Sequence, residues 1–170
     1  LDYITAIGGS AIHCLAGKVP VDQRPAAERT YIANLMRAAD MAAEKNIVIL
    51  IEPINPRDRP DYFLNRPEHA ADIIAKAGKS NIRIQFDFYH AQIMEGDIIR
   101  TIRENIQHIA HFHTGGNPGR NELDDTPELN WRTIAKTIAD LNFQGFVAHE
   151  FVPKRDPLTS LREAALLCDV

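Results

Sequence analysis

Ile47-Val48-Ile49-Leu50-Ile51-Glu52 is a run of five apolar residues closed by a carboxylate. The apolar part is continuous rather than alternating, the pattern of a strand covered on both faces, and such strands belong inside parallel sheets. Glu52 stands where the strand should end. An ionised carboxylate in that place needs a cation, a hydrogen-bond partner or water.

Comparable apolar runs recur at about residues 10–16, 82–88, 108–114 and 145–152. Each is followed by a loop and then by helical periodicity. From Ala26 to Lys45, the residues Tyr31, Leu35, Ala38 and Ala42 recur at three-to-four-residue steps and form one stripe of an amphipathic helix. Asn130 is an N-cap candidate before Trp131, Ile134, Ile138 and Leu141. Arg66-Pro67-Glu68 puts proline and an acid in the first turn of a helix that Gly78 should stop.

Strand and helix repeated in this way are the βαβ grammar, whose right-handed crossovers lead to an open doubly wound sheet or to a closed barrel. A complete (β/α)8 TIM barrel takes about 250 residues. This chain has 170. Five βα units therefore fit a barrel lacking its N-terminal part, and the placement of polar residues at strand ends favours the barrel. No linker, low-complexity tract or charge block interrupts residues 1–170, so one domain is expected.

A formal charge of -4 provides no basic field for gathering nucleic acid, and no run of Lys and Arg exceeds two. A small anionic substrate must then be held by local cations. Cys14 and Cys168 form neither a metal-type pair nor a disulfide framework, which points to a reducing, cytoplasmic setting. No stretch approaches the roughly 18 apolar residues of a membrane span, and no signal-peptide pattern opens the chain. Leu1 is not an initiator methionine, and an upstream portion is expected.

The last four runs all end in residues that buried strands avoid: Glu52 after IVILI, Asp87 after IRIQF, His113 after IAHF and Glu150 after FVAH. In a parallel barrel the carboxyl ends of the strands open onto one mouth, so these side chains should converge. Three carboxylates and an imidazole make a divalent-metal site. Oxygen-rich ligation with one nitrogen suits Mg²⁺, Mn²⁺ or Co²⁺, while Zn²⁺ and Fe²⁺ are also admitted. Without thiolates, a structural zinc site is disfavoured.

Other residues gather at the same ends. His90 follows Asp87 by three positions, where it can touch substrate, support the metal ligands or remain an ordinary surface histidine. His111 alternates with His113 and should share its side of the strand. The stretch TGGNPGRNELDD lacks a G-x-G-x-x-G order and reads as a shaped loop, in which Arg120 is the candidate for gripping a substrate oxyanion. Lys154 follows Glu150 as a further substrate-contact candidate, and Asn55, Arg57 and Asp58 follow Glu52; because loops are charged anyway, each also reads as an ordinary loop residue. His13, near the end of the first run, is either a substrate contact or a buried histidine hydrogen-bonded to backbone.

IEPIN with Glu52, QFDFYH with Asp87 and His90, HFHTGGNPGR with His113 and Arg120, and AHEFVPK with Glu150 resemble the hydroxypyruvate isomerase family of the xylose-isomerase-like barrel superfamily. The likeness runs from about residue 11 to the C-terminus and covers five of that family's eight strands. It implies one divalent metal held by Glu52, Asp87, His113 and Glu150. It also implies Glu52 and Glu150 as the acid/base pair, with His90 and Arg120 facing a small-molecule substrate.

The implied reaction interconverts hydroxypyruvate and 2-hydroxy-3-oxopropanoate, or a close 2-oxo sugar acid, through an enediolate. The related ketose 3-epimerases carry histidine where several bacterial hydroxypyruvate isomerases carry glutamine, so His113 keeps the epimerase as an alternative. The superfamily's endonuclease branch is opposed by the acidic composition. A non-catalytic sugar-binding or inactive barrel fragment is the alternative of another class. Such an incomplete barrel would expose sheet edges, making a homo-oligomer the expected form if nothing else covers them.

Overall fold

The computed structural model describes residues 1–124 and 128–169, so Asp125 at the end of the loop quoted above lies outside the described residues. Two compact units are present, Leu1–Gln85 and Phe86–Val170, with the division inside a strand.

The first unit begins with a short helix α1 (Asp2–Ala6) and continues with β1 (Ala11–His13), α2 (Arg24–Ala43), β2 (Val48–Ile51), α3 (Pro67–Ala77) and the start of β3 (Ile82–Asp87). The strands pair in chain order and in parallel, Ile12 opposite Ile49 and Ile49 opposite Ile82. Ile49, Leu50 and Ile51 are all buried, as the continuous apolar run requires. Helix α2 packs on β2 and α3. Its buried stripe is Leu35, Ala39 and Ala42, one position away from the expected Ala38, which is only half-buried. Gly78 ends α3 in the left-handed region at φ 63°, with its N–H on the Ile74 carbonyl.

The second unit carries the end of β3, α4 (Phe88–Met94), α5 (Ile98–Asn105), β4 (Ile109–Thr114), α6 (Trp131–Asp140), β5 (Phe146–His149) and α7 (Pro157–Cys168). β4 and β5 are parallel, His113 opposite Ala148. An aromatic core backs the strands: Phe112 stacks on Phe88 with centroids 5.3 Å apart, and Phe86, Trp131 and Phe143 meet one or both of them edge-on. Asn130 caps α6 by accepting the Thr133 N–H, and Asp156 caps α7 by accepting that of Thr159. Among the described residues, no helix is long and apolar enough to cross a membrane.

Candidate metal centre

Asp87 is the last residue of β3 and also the N-cap of α4, because the strand passes into the helix without a loop. Its Oδ1 accepts the His90 N–H at 3.1 Å, which holds the carboxylate at the strand's carboxyl end. Its Oδ2 lies 2.5 Å from an Arg120 guanidinium nitrogen and 4.0 Å from His113 Nδ1. On β4, His113 points its Nδ1 at Glu150 Oε2, 2.6 Å away. Glu150 directly follows β5 and takes the same guanidinium nitrogen of Arg120 at 2.8 Å.

The second unit therefore brings Asp87, His113, Glu150 and Arg120 to one place. One ligand atom from each of the first three lies within 4.8 Å of the others. Their burial differs sharply: the Asp87 side chain is inaccessible, His113 is largely covered, and about half of Glu150 is open. Burial pushes the Asp87 carboxyl up to about 6, against the pull of Arg120, the His90 N–H and His113. The hydrogen bond from His113 holds Glu150 below its ordinary range, with Arg120 adding to the effect.

His90 is buried, and its Nε2 lies 3.3 Å from Arg120. That guanidinium also stands 5.2 Å over the Tyr89 ring. His111 shares the side of β4 with His113, ring centroids 4.9 Å apart, and burial lowers its pKa. Lys154 is exposed and enters through its backbone, whose N–H goes to Glu122.

In the first unit, Glu52 follows β2 and is buried, receiving the side-chain amide of Gln85 at 2.9 Å. His13, at the end of β1, comes within 3.5 Å of it. Asn55 shapes the following loop by exchanging hydrogen bonds with Asp58, as donor to its carboxylate and acceptor of its backbone N–H.

Not foreseen from the sequence are Gln85, Glu122 and the Thr114–His149 pair, whose hydroxyl and Nδ1 are 2.8 Å apart. Gln85 sits two residues before Asp87 inside a buried strand, which is a signal for a partnered polar group. Glu122 looks in sequence like any loop acid.

The donor chemistry of the trio fits a divalent cation. A buried carboxylate with a raised pKa favours a neighbouring positive charge, and two carboxylates with one imidazole match hard and borderline ions. Neither cysteine belongs to the trio.

Comparison with known proteins gives a consistent result. The family described as xylose isomerase-like TIM barrel matches residues 1–168. The chain is 39% identical to 2-oxo-tetronate isomerase of Cupriavidus necator and 35% identical to hydroxypyruvate isomerase of Escherichia coli, over 91% and 94% of its own length. It spans only 59% and 62% of those two relatives. A solved structure, an AP endonuclease of family 2 from Brucella melitensis, superposes with a TM-score of 0.93 at 31% identity. That match covers 97% of this chain and 64% of the other.

Proposed function

The chain belongs to the xylose isomerase-like TIM barrel family, and from that membership we propose that it carries the metal-binding, catalytic part of an isomerase. Its substrate is a small 2-oxo acid with a hydroxyl on C3, the class that contains hydroxypyruvate and 2-oxo-tetronate. The observation that supports this best is the meeting of Asp87, His113 and Glu150 beside Arg120.

A family barrel gathers the carboxyl ends of its strands at one mouth. On that ground Glu52 is the fourth ligand, and Glu52 and Glu150 are the pair that handles the proton. A divalent cation held by this set would supply positive charge where negative charge develops on the substrate's oxygens.

The reaction moves one proton from C3 to C2 and one from the C3 oxygen to the C2 oxygen, with no net oxidation. Glu150 is a carboxylate at neutral pH and accepts the carbon-bound proton, and Glu52 works with it on the oxygens. A group held below its ordinary pKa is a weak base, so Glu150 must act close to the carbon and not through bulk water. Arg120 and His90 offer their N–H groups to the substrate's carboxylate and hydroxyl.

Full-length protein stripped of metal and reloaded with Mg²⁺, Mn²⁺ or Co²⁺ should convert hydroxypyruvate or 2-oxo-tetronate only when loaded. Epimerisation of a free ketose at C3 without turnover of either acid would replace this reading with the ketose 3-epimerase. The endonuclease name of the Brucella structure finds little support in this chain, whose net charge of -4 opposes binding to phosphates.

A further inference from the structure

One buried carboxylate in the second unit lies outside the ligand set and joins the two loops that carry Arg120 and Glu150. We infer that Glu122 is a positioning residue: it clasps the backbone after β5 to the loop after β4, and through that clasp sets Arg120 against Asp87 and Glu150. The inference rests on reading those three as site residues.

The loop after β4 folds back on itself, with the Gly116 N–H on the Asn121 carbonyl at 2.9 Å. Its tip runs through Gly119 at φ 90° and Arg120 at φ 55°. Arginine seldom adopts that left-handed backbone, so the surroundings must hold it there. Three successive residues supply the hold. The Arg120 carbonyl accepts the Val152 N–H at 2.7 Å, and the Asn121 side-chain amide donates to the Val152 carbonyl at 2.9 Å. Glu122 Oε1 then accepts the N–H groups of Lys154 and Arg155 at 2.7 and 2.9 Å, and the Ser160 hydroxyl at 3.1 Å.

Glu122 is the anchor at the far end of this ladder. It is 5% exposed, and Ser160 beneath it is 1% exposed. The donors, the Arg155 N–H foremost, hold its carboxyl down at about 2, so the acceptor is fully charged at neutral pH. Gly115 lets the strands of the ladder approach: a Cβ there would come within 3.0 Å of the Glu150 carbonyl oxygen and of Arg120 Cγ. That carbonyl also accepts Arg120 Nε–H at 3.2 Å. Loosening Glu122 thus frees one end of the ladder whose other end holds Arg120.

The test uses the full-length protein with E122A, E122Q, R120A and the R120A/E122A double variant. In E122A the amides of Val152, Lys154 and Arg155 should exchange at least roughly tenfold faster, with those of β4 unchanged. The Arg120 Nε–H resonance should move, and kcat/KM for the 2-oxo acid should fall. E122Q keeps an acceptor oxygen and should recover most of each loss. The double variant should be no worse than R120A alone, because both act through one guanidinium. Losses that add, or unchanged exchange at those three amides, would overturn the proposal. If E122A does not fold, E122D, which draws the acceptor back from the same donors, carries the comparison with smaller shifts. Exchange and the Arg120 resonance need no turnover, so a wild type inactive on 2-oxo acids would defeat the functional reading while the clasp is still decided.

Discussion

At Asp87 two forces oppose each other. Burial favours the protonated carboxyl, and the facing guanidinium favours the ion. A divalent cation would resolve the conflict in favour of the ion, so Asp87→Asn should weaken Mn²⁺ binding by more than the roughly 10–100-fold that loss of an outer partner costs. The metal-free variant should melt no lower than the wild type, since a costly buried charge has gone. Calorimetric titration and melting curves read the two effects separately. Glu150→Gln and Glu52→Gln should each abolish turnover while circular dichroism stays native, and near-normal activity in both would remove them as the proton-handling pair. Asp87, His113 and Glu150 were conspicuous in sequence, each a carboxylate or imidazole closing an apolar run, and the second unit brings the three together. Glu122 was not, because its value depends on which backbone amides a loop brings to it.

Helices and strands were legible to different depths. Gly78 and Asn130 end and begin their helices as their chemistry dictates, each through a local hydrogen bond. Replacing Asn130 by Ala should cost about 1 kcal/mol of stability in a denaturant titration. In α2, Leu35 and Ala42 are buried as the stripe predicts and Ala39 takes the place of Ala38, because alanines lie all along that helix and tertiary packing chooses among them. Nothing in the sequence announced that β3 would turn into α4 without a loop, since Asp87 serves strand end and helix cap together. Behind β4, Phe112 is fully buried among four aromatic neighbours and contacts three of them directly. Phe112→Ala should cost about 3–5 kcal/mol.

The loop clasp adds a pH signature. With its folded pKa depressed to about 2, Glu122 contributes stability that is present above the ordinary carboxylate range and lost as pH falls from about 4.5 toward 2. Arg155 faces Glu122 and also reaches Asp124 and Glu163, and both proteins keep these partners. The stability gap between wild type and E122Q should therefore shrink on acidification. A gap that stays constant down to pH 2 would show that Glu122 is not held as a carboxylate.

For the whole molecule, family membership gives the barrel class that the repeated strand–helix pattern led one to expect, and the chain's share of its relatives' length matches five units out of eight. Each unit pairs its strands in parallel, as the buried run of β2 foretold. Saturating metal at about 100 times its Kd should stabilise the folded protein by about 2.7 kcal/mol. Glu52→Gln should reduce that gain if the first unit supplies a ligand, and an unchanged gain would confine the site to the second unit.

The double engagement of Asp87 carries one more implication. Its Oδ1 is committed to the first turn of α4 and its Oδ2 to Arg120, so a cation arriving here would meet a carboxylate already held from both sides. A side chain fixed before any ion arrives has little conformational freedom left to lose on binding one, and that preorganisation favours tight capture.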